Sequence, residues 1–107
     1  MFREIVVGYD MPERGGEAIA LAESLRDPRR GTLLLTAAFL PAPTPAAPMV
    51  IVPDLRELAE AALVQARAKL EARVPVRTFA VADAPSRALS KTAEREHADL
   101  IVVGSSH

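Results

Sequence analysis

Cysteine is absent from the chain, which excludes disulfides, thiol chemistry and thiolate metal sites together. Tryptophan is absent as well, and Phe2, Tyr9, Phe39 and Phe79 are the only aromatic residues. With twenty alanines in 107 residues, the interior is built from small side chains that pack elements closely and bury modest area each. Neither charge sign is in excess, the formal net charge being −1. Binding to a nucleic-acid backbone needs a basic excess gathered on one face, so no nucleic-acid partner is expected. Eleven of the thirteen basic residues are arginine, but the closest cluster, Arg26, Arg29 and Arg30, is interrupted by Asp27 and reads as a solvated turn. Long hydrophobic runs are also missing. Ile5–Val7 is too short for a signal peptide, and no segment reaches the length that spans a bilayer. No membrane partner is expected, and the expected location is the cytoplasm.

The apolar residues that are present fall into an alternating order of strands and helices. Ile5-Val6-Val7-Gly8-Tyr9 is a continuous apolar run, as in a strand covered on both faces of a parallel sheet. After a loop over Met11–Gly16, a helix is expected from about Glu17 to Arg26, with Ala18, Leu21, Ala22 and Leu25 inward and Ile19 at the margin. Thr32–Phe39 is the second strand. The stretch Leu40–Pro48 carries four prolines, at 41, 43, 45 and 48, which forbid helix and central strand and leave an extended surface crossover. The second helix opens with Asp54 as N-cap and Glu57 completing a capping box. It runs to about Glu71 with Leu55, Leu58, Ala59, Ala62, Ala66 and Leu70 on one stripe. Val74–Val81, with Pro75 at its start, reads as an edge strand. Asp83 is expected to cap a third helix that buries Ala88, Leu89, Thr92 and Ala93, and Leu100–Val103 is the fourth strand. The order β-α-β-α-β-α-β predicts a single domain over 1–107, a three-layer α/β/α sandwich on a parallel sheet.

Ligands of such sheets bind beyond the carboxyl ends of the strands, where the chain reverses its direction across the sheet. Strand one ends at Gly8-Tyr9-Asp10 and strand four at Gly104-Ser105-Ser106. A strand that runs into Gly and two Ser offers unhindered N–H groups and two hydroxyls to an anion, normally with a helix behind. Such a helix is expected past His107, so the domain is expected to be incomplete at its C-terminus. Asp10 fits either of two roles, an acceptor for ribose hydroxyls or a base amine, or a cap of the following turn. The G-x-G-x-x-G and G-x-x-x-x-G-K-[ST] motifs do not occur. Two histidines at opposite ends of strand four have no metal-ligand spacing, and Ser24, Ser86 and Ser90 have no histidine near them. No catalytic residue and no metal ligand is expected.

Three stretches together resemble the universal stress protein family. They are Ile5-Val6-Val7-Gly8-Tyr9-Asp10, Val81-Ala82-Asp83-Ala84-Pro85-Ser86-Arg87-Ala88-Leu89, and Ala98-Asp99-Leu100-Ile101-Val102-Val103-Gly104-Ser105-Ser106-His107. The resemblance implies a Rossmann-like fold of the adenine nucleotide alpha hydrolase type, with strand order 3-2-1-4 and a fifth strand beyond. It implies ATP, with Mg2+ as a possible companion, and a homodimer. In the family's ATP binders, Asp10 would contact the nucleoside, Ala38 and Phe39 the base, and Val103, Gly104, Ser105 and Ser106 the phosphates. The family's phosphate loop has a second glycine where this chain has His107; the Gly-Ser-Ser-His variant resembles actinobacterial-type members. Two functions therefore stand side by side, an ATP-binding stress-response or signalling module without strong catalysis, and a dimeric scaffold that binds no nucleotide.

Overall fold

Leu33, Leu34, Leu35, Ile5, Val6 and Val7 are all fully buried, and burial of both alternating sides is what places their two strands at the centre of a sheet. The computed structural model describes residues 1–9, 12–40 and 54–104. The elements are β1 (Glu4–Gly8), α1 (Pro12–Leu25), β2 (Thr32–Phe39), α2 (Leu55–Ala68), β3 (Val76–Ala82), α3 (Pro85–Arg95) and β4 (Leu100–Val103). All strand pairs are parallel and the order is β3-β2-β1-β4, the order expected. The expected proline-rich crossover at 40–48 lies, apart from Leu40, outside the described residues.

Registers Ile5↔Leu33, Val7↔Leu35 and Val7↔Val102 put these residues on one face. There they meet Ala18, Ile19 and Ala22 of α1 and Ala59, Leu63 and Ala66 of α2 in one apolar core. The intervening residues Val6, Gly8, Leu34 and Thr36 face the other way, toward α3, which buries Ala88 and Thr92. The three layers are thus α1 and α2, the sheet, and α3.

Several boundaries and stripes differ from the expected ones. The first helix begins at Pro12, five residues earlier than expected. Proline suits a first helical position because it has no N–H to leave unpaired, and this outweighs Gly15 and Gly16. On α1, Ile19 is 5% exposed and Leu21 51%, the reverse of the expected assignment. At about 100° per residue, Leu21 falls roughly 110° from the centre of the stripe formed by 18, 19 and 22. On α2 the same geometry buries Leu63 and leaves Leu58 exposed. The helix ends at Ala68 with Lys69 as C-cap. Asp54 caps it as expected, accepting from the N–H groups of Arg56 and Glu57 at 3.0 and 3.4 Å. The reciprocal bond from the Asp54 N–H to the Glu57 carboxylate is not formed among the described residues.

The third strand starts at Val76, two residues late; Val74 is buried in the core without joining the ladder. Asp83 does not cap α3. The N-cap is Ala84, and the Asp83 carboxylate instead accepts from the Ala84 N–H at 2.8 Å and from Lys91 Nζ at 2.6 Å. On β4 only Val102 is buried, while Ile101 and Val103 are 41% and 58% exposed. Both face the α3 side, where α3 lies over β2 and β1 rather than over β4. Asp99 ties the start of β4 to the chain's beginning, accepting from the Arg3 N–H at 2.8 Å.

The loop after α1 is closed by Arg26, whose Nη1 donates to the carbonyls of Asp27 and Gly31 at 3.1 and 3.0 Å. Gly31 must be glycine, because a Cβ there would lie 2.0 Å from Arg26 Cγ and 2.7 Å from the Asp27 backbone.

Candidate functional site

From β1 the chain steps through α1 to β2 and through α2 to β3, moving outward along one side of the sheet. It then returns through α3, on the opposite face, to place β4 against β1. The reversal opens a crevice beyond the carboxyl ends of β1 and β4. A cavity of about 220 Å³ lies there. Gly8, Thr36, Ala38 and Val103 form its floor, Gly104 its rim, and Pro85 and Leu89 of α3 its wall, with Tyr9 at the end of β1.

Its depth depends on Gly8. A Cβ at that position would sit 3.2 Å from both Leu89 Cδ1 and Val103 Cγ1, closing the space between the sheet and α3. The Thr36 hydroxyl is engaged with its own strand, donating to the Leu34 carbonyl at 3.2 Å. No charged side chain lines the cavity among the described residues. The polar groups it offers are therefore main-chain ones. The β1–β2 ladder ends at Gly8↔Thr36, with the Tyr9 N–H donating to the Thr36 carbonyl at 2.9 Å. Alternation along β2 points the next β1-facing amide edge, the N–H and C=O of Ala38, past the end of that ladder. One donor and one acceptor thus stand side by side above an apolar floor.

The α3 end of the cavity is the start of a helix. Pro85 opens the helix, and Ala84 as N-cap supplies no side-chain acceptor to the first-turn N–H groups, which carry the positive end of the helix dipole. The hydrogen bond from Lys91, then the Ala84 N–H, hold the Asp83 carboxyl below its ordinary value. Asp83 is thereby an anion already neutralised by Lys91, with Arg87 at 4.0 Å.

The profile that matches this sequence, over residues 1–107, is that of the Universal stress protein family. The chain belongs to the universal stress protein family. Protein Rv1636 from Mycobacterium tuberculosis H37Rv is 27% identical, with a TM-score of 0.59, over 98% of this chain and 72% of that one. A universal stress protein solved in complex with cAMP is 23% identical, with a TM-score of 0.63, over 94% of this chain and 70% of that one. At that identity the second likeness concerns the fold. No curated protein sequence matches significantly.

The fold of a universal stress protein brings Ala38, Val103 and Gly104 to one cavity. Phe39 goes elsewhere: it alternates to the α2 face, lines a different cavity there, and has the Arg56 guanidinium 5.0 Å from its ring centroid. Asp10, Ser105 and Ser106 lie outside the described residues, as does His107. Gly8, Thr36, Pro85 and Leu89 were not singled out from the sequence. The expected strand order places Gly8 beside Val103, and Thr36 shares the parity of Ala38, so both were reachable by alternation. Leu89 required the docking of α3. His97 is exposed and carries no site; it terminates α3. Among the described residues there is no group of three His, Asp or Glu that could hold a metal, and no helix long and apolar enough to cross a membrane.

Proposed function

We propose that this universal stress protein binds an adenine nucleotide in the crevice at the ends of β1, β2 and β4, and acts as a cytoplasmic stress-response or signalling module without strong catalysis. The observation that carries this reading is the cavity whose floor is apolar and at whose edge, by alternation along β2, stands the Ala38 amide pair. A purine base has flat apolar faces and a rim of alternating donors and acceptors, which is the complement of that surface. The volume of about 220 Å³ lies below the 300–1,000 Å³ or so of complete ligand pockets. It matches a base with part of its sugar. Phosphates would then extend past Gly104 toward Ser105 and Ser106, with Asp10 on the ribose. A bound Mg2+ would ride on the phosphates. Family membership supports the reading, and the same fold holds an adenine nucleotide in the chain solved with cAMP.

Calorimetric titration of adenosine, AMP, cAMP and ATP into the protein and into Gly8→Val tests it. The expected result is saturable binding that the valine abolishes by filling the floor. Unchanged affinity in Gly8→Val places the ligand elsewhere, and no binding by any of the four overturns the nucleotide reading.

A second reading, the dimeric scaffold, is favoured by the apolar pair Ile101 and Val103 on β4, both exposed among the described residues. An exposed apolar patch of this kind invites association with a second copy. Sedimentation of the protein and of Ile101→Lys tests it, a dimer that the lysine dissociates being the supporting result. A monomer at all concentrations removes it.

A further inference from the structure

Helix α2 carries apolar residues on two sides, and the sheet uses only one of them. Ala59, Leu63 and Ala66 are buried in the core. At about 100° per residue, Glu57, Ala61, Val64 and Ala68 fall within roughly 60° of one another on the opposite side. All four are exposed among the described residues, Val64 at 68%. Val64 adds nothing to the core, and its β-branched side chain forms helix less readily than alanine. The intervals from 57 to 61, 64 and 68 are four, three and four residues, the spacing of a seam along which two helices pack.

The charges beside this stripe are self-complementary. Glu60 and Arg67 stand along one flank, about 10 Å apart along the helix axis. Both are exposed, and neither forms an ion pair among the described residues. Leu58 and Gln65 stand along the other flank and carry no charge. A two-fold axis crossing the helix near Val64 brings Glu60 to the partner's Arg67 and Arg67 to the partner's Glu60. A parallel arrangement would instead set like charges against each other. Antiparallel helices also oppose their dipoles favourably.

We propose that the exposed face of α2 is an interface between two copies of this chain, packed antiparallel about a two-fold axis near Val64. Ala61 packs against the partner's Val64, and Glu60 pairs with the partner's Arg67. The helix has 14 residues and a length of about 21 Å. A seam this short lies at the low end of interface sizes, so the association is weak and concentration-dependent. It lies on the α1 and α2 side of the sheet, and so involves neither the nucleotide crevice nor the β4 pair Ile101 and Val103.

Sedimentation equilibrium is run on the protein and on Ile101→Lys, in which association through β4 does not contribute. The expected result is a reversible monomer–dimer equilibrium in both, weakened by added salt. In the Ile101→Lys background, Val64→Glu is expected to weaken it at least about tenfold. Glu60→Arg and Arg67→Glu are each expected to weaken it, and the two together to restore it. The substituted side chains on α2 are exposed, so urea denaturation is expected to show all these variants folded. A monomer at all concentrations in the Ile101→Lys background overturns the proposal. So does a dimer that Val64→Glu leaves intact, or a loss from the single charge changes that the double exchange does not reverse.

Discussion

His97 adopts φ 54°, the left-handed region that a helix enters at its end and that glycine occupies without cost. Its N–H donates to the Glu94 carbonyl at 3.3 Å and that of Ala98 to Ala93 at 2.8 Å, the paired bonds of a Schellman ending. A histidine in that conformation carries about 1–2 kcal/mol of strain, against about 0.5–1 kcal/mol of extra chain entropy for glycine. His97→Gly is therefore expected to raise stability by about 0.5–1 kcal/mol, read from urea denaturation, and a loss of stability would assign the imidazole a contact of its own. Asp83 gives a residue-scale prediction in pH. Its folded-state pKa is lowered from 3.8 by the Lys91 hydrogen bond first and the Ala84 N–H second. The unfolded carboxylate takes up its proton first on acidification. The stabilisation is thus full above the unfolded value and disappears as pH falls through the lowered folded one. Asp83→Asn is expected to be less stable than the parent at pH 7, with the gap narrowing below about pH 4. A gap independent of pH would mean that the charge contributes nothing.

At the scale of elements, the α2 stripe decides which leucine holds the helix to the sheet. Leu63 is 3% exposed and Leu58 55%, although both recur at helical spacing with alanines. Leu63→Ala is expected to cost about 2–4 kcal/mol by removing buried methyls and leaving a cavity, whereas Leu58→Ala is expected to stay within about 0.5 kcal/mol. Equal losses in urea denaturation would contradict the burial pattern. The same spacing explains why the sequence alone preferred Leu58. Its neighbours 55, 59 and 62 are apolar, and periodicity locates an apolar stripe without showing where its centre meets the sheet. Arg77 and Glu96 pair across β3 and the end of α3, a link between elements that a charge pattern does not announce.

Across the whole molecule, stability should be graded from the centre of the sheet outward. Strands β1 and β2 are covered on both faces, β3 is an edge with partly exposed residues, and β4 leaves Ile101 and Val103 uncovered. In native-state hydrogen exchange, the amides of Val6, Val7 and Leu34 are expected to exchange only through global unfolding, and those of Val81 and Ile101 faster through local opening. Uniform protection over all four strands would show that the edges are covered in solution.

The sequence by itself determined the number and order of the elements, the parallel sheet and, through the motif stretches, the family. Those properties follow from runs of apolar residues and from breakers such as Asp27-Pro28 and Asp83-Ala84-Pro85, which act locally and are visible in one dimension. It also marked Ala38, Val103 and Gly104 through the resemblance. Tertiary structure alone decided that α3 stands over Gly8 with room for a ligand, that Phe39 turns away from Ala38, and that the Tyr9 hydroxyl is buried without a partner among the described residues. These depend on how far apart two packed surfaces come to rest, a distance set by every side chain between them rather than by any residue's own preference.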